Sequence, residues 1–263
     1  MGLSLSSGRY ALAGQGGVGF APNKISAVSA WLRNTTTGAV SSIADVLNAN
    51  PATQATAGRQ PAGDADGPLT FDGGDVLVWP LVADVNKNTT AMGFGFWFEP
   101  AQVATNQLVV AIDSGSGGAS VRTMSIYAAG TALRSDLGNN GLVGRRATAS
   151  SIFTAGVPTF ITVEFNGSMA SEATRHVMTA GGVVLTPSFA ALSGGASDTV
   201  LNNPTGNALL GGNTDADVGV NPITIGGRVG ANIFAFTSAM AGATEGLLTA
   251  AARAALMGFE PLV

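Results

Sequence analysis

The stretch Gly93–Pro100, Gly-Phe-Gly-Phe-Trp-Phe-Glu-Pro, is the densest aromatic run in a chain of 263 residues with 6% aromatic residues. Phe94, Phe96 and Phe98 alternate, so in a strand all three side chains point to one face. Trp97 then points to the opposite face. Burial of a phenylalanine contributes about 1.5–3 kcal/mol relative to exposure, so we expect the phenylalanine face to lie in a core. The stretch therefore predicts a central strand of a two-layer all-β domain.

The rest of the chain consists largely of short β runs separated by turn residues. The candidate strands are rich in apolar and β-branched residues, and they are Ile25–Leu32, Gln107–Ile112, Thr123–Ala128, Thr159–Phe165, His176–Thr179, Val183–Leu185, Ala208–Leu210, Ile223–Ile225 and Asn232–Thr237. Leu69–Leu81 also has strand character, with a tight turn at Asp72–Asp75 before the next strand, Val76–Trp79. Gly-Gly pairs lie between or beside several of these runs, where tight turns need residues that tolerate positive φ. This pattern predicts an all-β fold, a two-sheet antiparallel jelly-roll sandwich.

Two segments predict helical structure. Ser42–Ala49 is expected to form a short helical turn. Near the end of the chain, Thr249 can cap a helix over Ala250–Met257, and Gly258 can supply the left-handed residue that follows it. On this closing helix Arg253 is expected to point away from the apolar side. We expect the helix to pack against an end or edge of the sandwich.

The composition limits the classes of function. Charged residues make up 11% of the chain, against about 25% in an average soluble domain. Such a surface suits a protein held in a larger assembly, because apolar surface tends to mark contacts. The net charge of −4 and the scarcity of lysine leave no basic patch for nucleic acid. The absence of cysteine excludes disulfides and thiolate chemistry. We expect neither a signal peptide nor a membrane-spanning segment.

The sequence predicts an N-terminal arm followed by one domain. Residues 1–24 are rich in glycine and serine, have few apolar anchors, and predict an N-terminal arm. Residues 25–263 are then expected to form a single jelly-roll domain, since β sandwiches of this length commonly form one domain.

Four groups of residues, taken in order, resemble the concanavalin A-like lectin/glucanase superfamily. They are Ile25–Leu32 with Gln54–Pro61 and Leu69–Leu77, then Gly93–Pro100, then Thr159–Gly167 with the hairpin Val177–Leu185, and finally Ile223–Gly227, Phe234–Phe236 and Leu248–Leu256. Within the superfamily the chain is similar to the laminin-G-like jelly rolls of bacterial and phage proteins. It departs from them at Arg33-Asn34, where an acidic residue is common, and at Ala235–Thr237, which replaces an acidic edge-strand motif. These departures weaken any transfer of ligand residues.

The residues argue against catalysis. Retaining glycosidases need two carboxyl groups about 5–5.5 Å apart, which alternate residues on one strand can supply. None of the five glutamates lies two or four residues from another acid; they are Glu99, Glu164, Glu172, Glu245 and Glu260. The single histidine, His176, is expected at the surface of a polar hairpin, without a nucleophile partner. The chain is therefore predicted not to be an enzyme.

One group of residues suggests a glycan site. Glycan binding uses an aromatic ring to stack on a sugar and a few polar groups to orient it. Trp97 is the best candidate for the ring, with Trp79 and Asp75 behind it. The alternative is that Trp97 packs under a loop or against a neighbouring subunit.

A second group of residues suggests a calcium site. Asn213, Asp215 and Asp217 lie in one loop and offer hard oxygen ligands, which calcium prefers. Turn formation explains the same polar residues without a metal, so the sequence requires no cofactor.

The resemblance, the low charge and the arm together imply a non-enzymatic structural protein of a phage virion, either a capsid decoration or a tail or baseplate component. The expected location is the virion. The expected partners are other virion proteins, which the arm would contact, and further copies of the chain. A carbohydrate-binding module for host-surface glycans is the alternative, and a polysaccharide-degrading enzyme is a more distant one. This assignment rests on likeness to a fold family and not on a site.

Overall fold

The computed structural model of the chain describes residues 28–47, 49–65, 67–80, 91–104, 106–113, 122–139, 142–191, 207–212, 223–225, 233–236 and 248–257. The predicted arm, residues 1–24, lies outside these ranges, so the boundary between arm and domain stays a prediction. Within the described ranges no helix is long and apolar enough to cross a membrane.

The described ranges form 19 strands, two α-helices and one 3-10 turn. The strands of the first half are β1 (Val28–Arg33), β2 (Gly38–Ala39), β3 (Ser42–Asp45), β4 (Ala52–Thr53), β5 (Ala62–Gly63), β6 (Leu69–Phe71), β7 (Leu77–Trp79), β8 (Ala91–Pro100), β9 (Asn106–Asp113) and β10 (Arg122–Ala129). Those of the second half are β11 (Ala132–Asn139), β12 (Leu142–Ala149), β13 (Thr159–Asn166), β14 (His176–Ala180), β15 (Val183–Val184), β16 (Ser188–Ala191), β17 (Ala208–Leu210), β18 (Ile223–Ile225) and β19 (Ile233–Phe236). The helices are α1 (Glu172–Arg175) and α2 (Ala250–Met257), and the 3-10 turn covers Ala57–Arg59.

The strands pair into two antiparallel sheets that pack face to face. Sheet A runs β15–β14–β13–β8; on the far side of β8, β19 leads to β1, and β18 leads to β6, β5 and β2. Sheet B runs β16–β12–β11–β10–β9–β17–β7–β4–β3. Because β3 also pairs with β1, it joins the two sheets at one edge. The predicted all-β sandwich with a short C-terminal helix is confirmed.

Strand β8, which contains the aromatic run, is central to sheet A. It pairs with β13 on one side over its first eight residues, while β19 and β18 pair with successive parts of its other side. Phe94, Phe96 and Phe98 are buried in the main core, whereas Trp97 on the opposite face is half-buried. The alternation in the sequence thus gives the orientation of this strand correctly.

The main core lies between the sheets. Trp79 of β7 faces β8, and its ring meets the Phe94 ring edge to face at 6.4 Å between centroids. Phe98 packs in the same way on Phe153, at 5.1 Å. Such edge-to-face pairs are favourable because the positive ring edge meets the negative ring face.

The glycine that follows β17 marks a close approach between the sheets. Gly211 has a φ of +81°, and a Cβ at this position would overlap the Phe71 ring. Both the backbone conformation and the space therefore require glycine here.

The structure corrects the helical turn predicted over Ser42–Ala49. Ser42–Asp45 is the strand β3, in which Ile43 and Asp45 are buried and Ser42 and Ala44 are exposed. Alternate burial of this kind is typical of a strand. The pairing with β1 and β4 makes this short segment a strand and not a helical turn.

Strands β11 and β12 were not predicted. Their inward positions include Ser135 and Ala147, small residues that pair across the two strands in the core. Small and polar residues at inward positions hide the apolar alternation by which a strand is recognised in a sequence. These two strands form much of the site described below.

Helix α2 matches the predicted range. The backbone N–H of Ala252 donates to the Thr249 hydroxyl at 3.1 Å, so the predicted cap is confirmed. The predicted position of Gly258 lies outside the described residues.

Candidate functional site

The outward face of sheet A is covered by helix α2. Trp31 of β1 and Phe160 of β13 form a buried apolar cluster with Leu248 and Leu256 of the C-terminal segment. Trp97 packs at the margin of this cluster, with its ring 5.6 Å from the Phe160 ring. We call this surface the helix-covered face. Its aromatic rings contact the helix and each other.

A buried ion pair joins α2 to the helix-covered face. Arg253 donates from Nε to Glu164 Oε1 and from Nη2 to Glu164 Oε2, both at 2.8 Å. The same carboxylate accepts the backbone N–H of Leu248 at 3.1 Å and the hydroxyl of Thr162 at 2.7 Å. Arg253 is buried, so the prediction that it points away from the apolar side of the helix is wrong. The buried Glu164 on β13 attracts the guanidinium to the inner side of the helix.

The outward face of sheet B carries a different set of side chains. In β10, β11 and β12 the core takes the alternate residues Ile126, Leu133 and Ala147 and their neighbours of the same parity. The intervening residues must point outward, because successive side chains of a strand alternate between faces. Five of these outward residues lie next to one another, and we call them the arginine face: Ser125, Tyr127, Arg134, Asp136 and Arg146.

The strand register sets the order of side chains within the arginine face. Ser125 lies opposite Asp136, and Asp136 lies opposite Arg146, which gives one row across three strands. Tyr127 lies opposite Arg134 in the next row. Directly opposed residues have Cβ atoms about 4.5–5.5 Å apart, so each row forms a contiguous set of contacts.

Two arginines share one carboxylate on the arginine face. Arg146 binds Asp136 in a bidentate pair, with Nε to Oδ1 at 2.7 Å and Nη2 to Oδ2 at 2.9 Å. Arg134 donates from Nη2 to Asp136 Oδ2 at 3.2 Å. The hydrogen bonds to Asp136 raise the pKa of Arg146, so this guanidinium stays charged. The side chains of Arg134 and Arg146 are 18% and 33% exposed, so both reach the surface.

Arg134 also covers an aromatic ring. Its guanidinium carbon lies 4.1 Å from the centroid of the Tyr127 ring, within the range of a cation–π contact. Arg134 Nε has no acceptor, and the hydroxyl of the buried Ser125 has no hydrogen-bond partner, among the residues that the structure describes. Polar atoms left without a partner in this way are uncommon in folded proteins.

The predicted glycan residues are not brought together on one surface. Trp97 lies on the helix-covered face of sheet A. Trp79 lies in the core between the sheets, where it is fully buried. Asp75 is also buried and accepts the backbone N–H of Asp72 at 2.8 Å; loss of solvation raises the pKa of its carboxyl. A role for these residues in glycan binding stays a prediction.

The predicted calcium ligands Asn213, Asp215 and Asp217 lie outside the described residues. Among the residues that are described, no group of three or more acidic or histidine side chains could hold a metal ion. The calcium site thus stays a prediction.

The position of His176 corrects the sequence interpretation. It is not at the surface but buried between the sheets, 3% exposed, with its ring 6.2 Å from the Phe189 ring. Loss of solvation lowers the pKa of His176 to about 4, against a smaller opposing effect of Asp136. The sequence predicts that a polar residue next to a turn is exposed. Strand β14, however, directs the His176 ring to the core.

Solved structures show the same fold. A sialidase from Trypanosoma rangeli, in complex with 2,3-difluoro-KDN, is 12% identical with a TM-score of 0.57, covering 88% of this chain and 32% of its own. The ligand-binding domain of botulinum neurotoxin serotype D, in complex with N-acetylneuraminic acid, is 10% identical with a TM-score of 0.58, covering 89% of this chain and 51% of its own. The chain thus spans about a third to a half of these structures. No protein-family model and no curated protein sequence matches the chain.

The arginine face was missed because no single segment of the sequence shows it. The local signal is the alternation of Arg134 and Asp136 in β11, which places both charges on one face of a strand. Tyr127 and Arg146 join them only through pairing with the neighbouring strands.

Proposed function

We propose that the protein is a non-enzymatic carbohydrate-binding module of the concanavalin A-like class, and that it binds its glycan through the arginine face. The observation that carries the proposal is the Tyr127 ring with Arg134 and Asp136 beside it on outward positions of neighbouring strands. A sugar ring can stack on the tyrosine through its C–H groups, while charged planar groups hydrogen-bond its hydroxyls.

The comparison with solved structures supports the binding of sugars as a class. The solved structures of similar fold include a toxin domain in complex with N-acetylneuraminic acid and a sialidase in complex with sialic acid. Identities of 10% and 14% supply no residue of this chain, so the site rests on the geometry of the arginine face alone.

Binding fits the arginine face better than hydrolysis. A glycosidase of the common type needs two carboxyl groups that flank the bond to be cleaved. Asp136 is the one carboxylate among the five residues of the face, and both arginines donate hydrogen bonds to it. We therefore propose that this surface orients a glycan and does not cleave it.

The test is a binding screen of the full chain against neutral, uronic-acid-terminated and sialic-acid-terminated oligosaccharides. Tyr127→Ala should abolish binding to whichever member binds, since it removes the stacking surface. Trp97→Ala is the matched control, because it removes an aromatic side chain from the other sheet. Loss of binding in Trp97→Ala but not in Tyr127→Ala would move the site to the helix-covered face. If the native chain binds no member of the screen, the proposed function is wrong.

A structural role in a phage virion is the second proposal. The observation that favours it is the charged content of 11%, which leaves a surface suited to contacts within an assembly. In this role residues 1–24 would dock the domain to neighbouring virion proteins or to other copies of the chain. The mass in solution of the full chain and of a chain without residues 1–24 tests it. An assembly that becomes a folded monomer on truncation supports the proposal, and two monomers oppose it.

A further inference from the structure

We propose that the ligand of the arginine face is an acidic saccharide, whose carboxylate binds the spare N–H groups of Arg134 and Arg146. The inference rests on the proposed function and narrows it from glycans in general to one chemical class. Its basis is an excess of positive charge and of hydrogen-bond donors on this face.

The charges on the arginine face do not balance. Two guanidinium groups share the single carboxylate of Asp136, which leaves an excess of one positive charge. This excess stands out because the chain as a whole has a net charge of −4. Since both arginine side chains are partly exposed, an anion from solution can reach them. A carboxylate is the anion that occurs in acidic saccharides, and the planar guanidinium matches its geometry.

The hydrogen-bond donors also exceed the acceptors. Each guanidinium has five N–H donors, whereas Asp136 accepts two bonds from Arg146 and one from Arg134. Arg134 Nε has no acceptor within the described part of the chain, and the same holds for the hydroxyl of Ser125 in the adjacent row. Both of these atoms are buried, so a ligand carboxylate would accept from the guanidinium N–H groups at the partly exposed ends of Arg134 and Arg146.

Arg134 is the arginine free to turn toward a ligand. Its bond to Asp136 is single and 3.2 Å long, whereas the bidentate bonds of Arg146 are 2.7 and 2.9 Å. If a carboxylate draws Arg134 outward, the guanidinium uncovers the side of the Tyr127 ring that it now lies over, while Tyr127 keeps its packing on the small apolar cluster of Val76, Leu108, Ala111 and Leu209. A movement of Arg134 then supplies the ionic contact and opens that side of the ring to the sugar.

The experiment compares each acidic oligosaccharide that binds with the same oligosaccharide after its carboxylate is converted to the amide. The native chain should bind the acid at least about tenfold more tightly, because a charge-assisted bond exceeds its neutral counterpart by about a factor of two in energy. Binding of the acid should also weaken as the salt concentration rises, whereas binding of the amide should change little.

Two variants of Arg134 and one control variant locate the effect. Arg134→Ala should bring the affinities for acid and amide close together. Arg134→Lys should recover part of the difference, because lysine restores the positive charge but not the planar guanidinium that can form two parallel hydrogen bonds to a carboxylate. Arg33→Ala on sheet A removes the same charge elsewhere and should leave the ratio of the two affinities as in the native chain. Equal affinity of the native chain for acid and amide would overturn the acidic ligand while leaving glycan binding intact. A preference for acid that survives Arg134→Ala would also overturn it.

Discussion

The ion pair between Glu164 and Arg253 should contribute strongly to stability, and Arg253→Met tests this. The two side chains are 1% and 5% exposed, so neither charge is solvated by water once its partner is removed. Methionine keeps much of the apolar length of the arginine and removes only the charged group. The variant leaves the Glu164 carboxylate buried with two of its four hydrogen bonds.

The magnitude follows from the bonds that are lost. Arg253 donates two charge-assisted hydrogen bonds to Glu164. Each bond of this kind contributes about 1.5–3 kcal/mol, which gives a loss of about 3–6 kcal/mol in the free energy of unfolding. Breaking one side of a buried ion pair costs about 3–5 kcal/mol in other proteins, in agreement with this range.

The assay is urea unfolding followed by tryptophan fluorescence. Trp31 and Trp97 lie in the helix-covered face, and Trp79 lies between the sheets, so the fluorescence of a Trp79→Phe background reports mainly on the contact with α2. The matched control is Glu172→Gln, which removes a carboxylate that is 27% exposed beside Arg145. That change should cost less than about 1 kcal/mol, since a partly exposed pair is screened by water and salt.

A double variant tests whether the two groups act as a pair. If they do, Glu164→Met combined with Arg253→Met should cost less than the sum of the two single changes, by at least about 2 kcal/mol. Two results would refute the conclusion that this pair holds helix α2 on the sheet. One is a loss of less than about 1 kcal/mol in the free energy of unfolding of Arg253→Met, and the other is that the losses in the two single variants add up to the loss in the double variant.

Three further predictions concern other parts of the fold. The folded pKa of His176, about 4 against an ordinary 6.5, means that the unfolded chain binds the proton more readily. This contribution to stability is therefore complete above pH 6.5 and declines by about 3 kcal/mol as the pH falls through 4; His176→Gln should flatten the pH dependence of urea unfolding. Gly211→Ala should lower the melting temperature far more than Gly181→Ala, because only the former would drive a Cβ into another side chain. Thr249→Ala should cost about 1 kcal/mol of unfolding free energy through loss of the α2 cap, whereas Thr249→Ser should not.

Each of these three has an outcome that would contradict it. An unchanged pH profile in His176→Gln would mean that burial of this ring does not govern acid sensitivity. Equal melting temperatures for the two glycine variants would show that backbone conformation alone matters at both positions, since both glycines have positive φ. Serine and alanine at position 249 that are equally destabilising would show that the threonine contributes by packing and not by its hydroxyl.

Much of the fold could be predicted because apolar alternation is a local property. The aromatic run gave β8 and its inward face, and the short apolar runs at Ala208–Leu210 and Ile223–Ile225 gave β17 and β18 at their observed ends. Helix α2 was predicted over its full observed range, since small, helix-favouring residues follow a threonine cap. Ser42–Asp45 was assigned wrongly, because four residues are too few for periodicity to separate a strand from a helical turn.

The candidate site could not be predicted in the same way. An aromatic ring marks a glycan site only if it lies on an accessible face, and the sequence does not tell which of its aromatic residues a distant segment covers. The alternation in β8 correctly placed Trp97 on the outward face of this strand. Helix α2, which lies more than 150 residues later in the chain, packs beside this ring. Tyr127 lies in a less conspicuous strand, and its partner arginine belongs to a strand that the sequence did not indicate.

The sequence by itself therefore determined the class of fold, the central strand and the closing helix, because each depends on the spacing of apolar residues along a short segment. Only the tertiary structure decided where the charges go. Glu164 meets Arg253 across 89 residues, and three strands must pair in register before Asp136 lies between its two arginines. From the sequence alone, a charged side chain is predicted to be exposed to water. Whether it is buried, and what it can bind, depends on the partner that the fold brings within hydrogen-bonding distance.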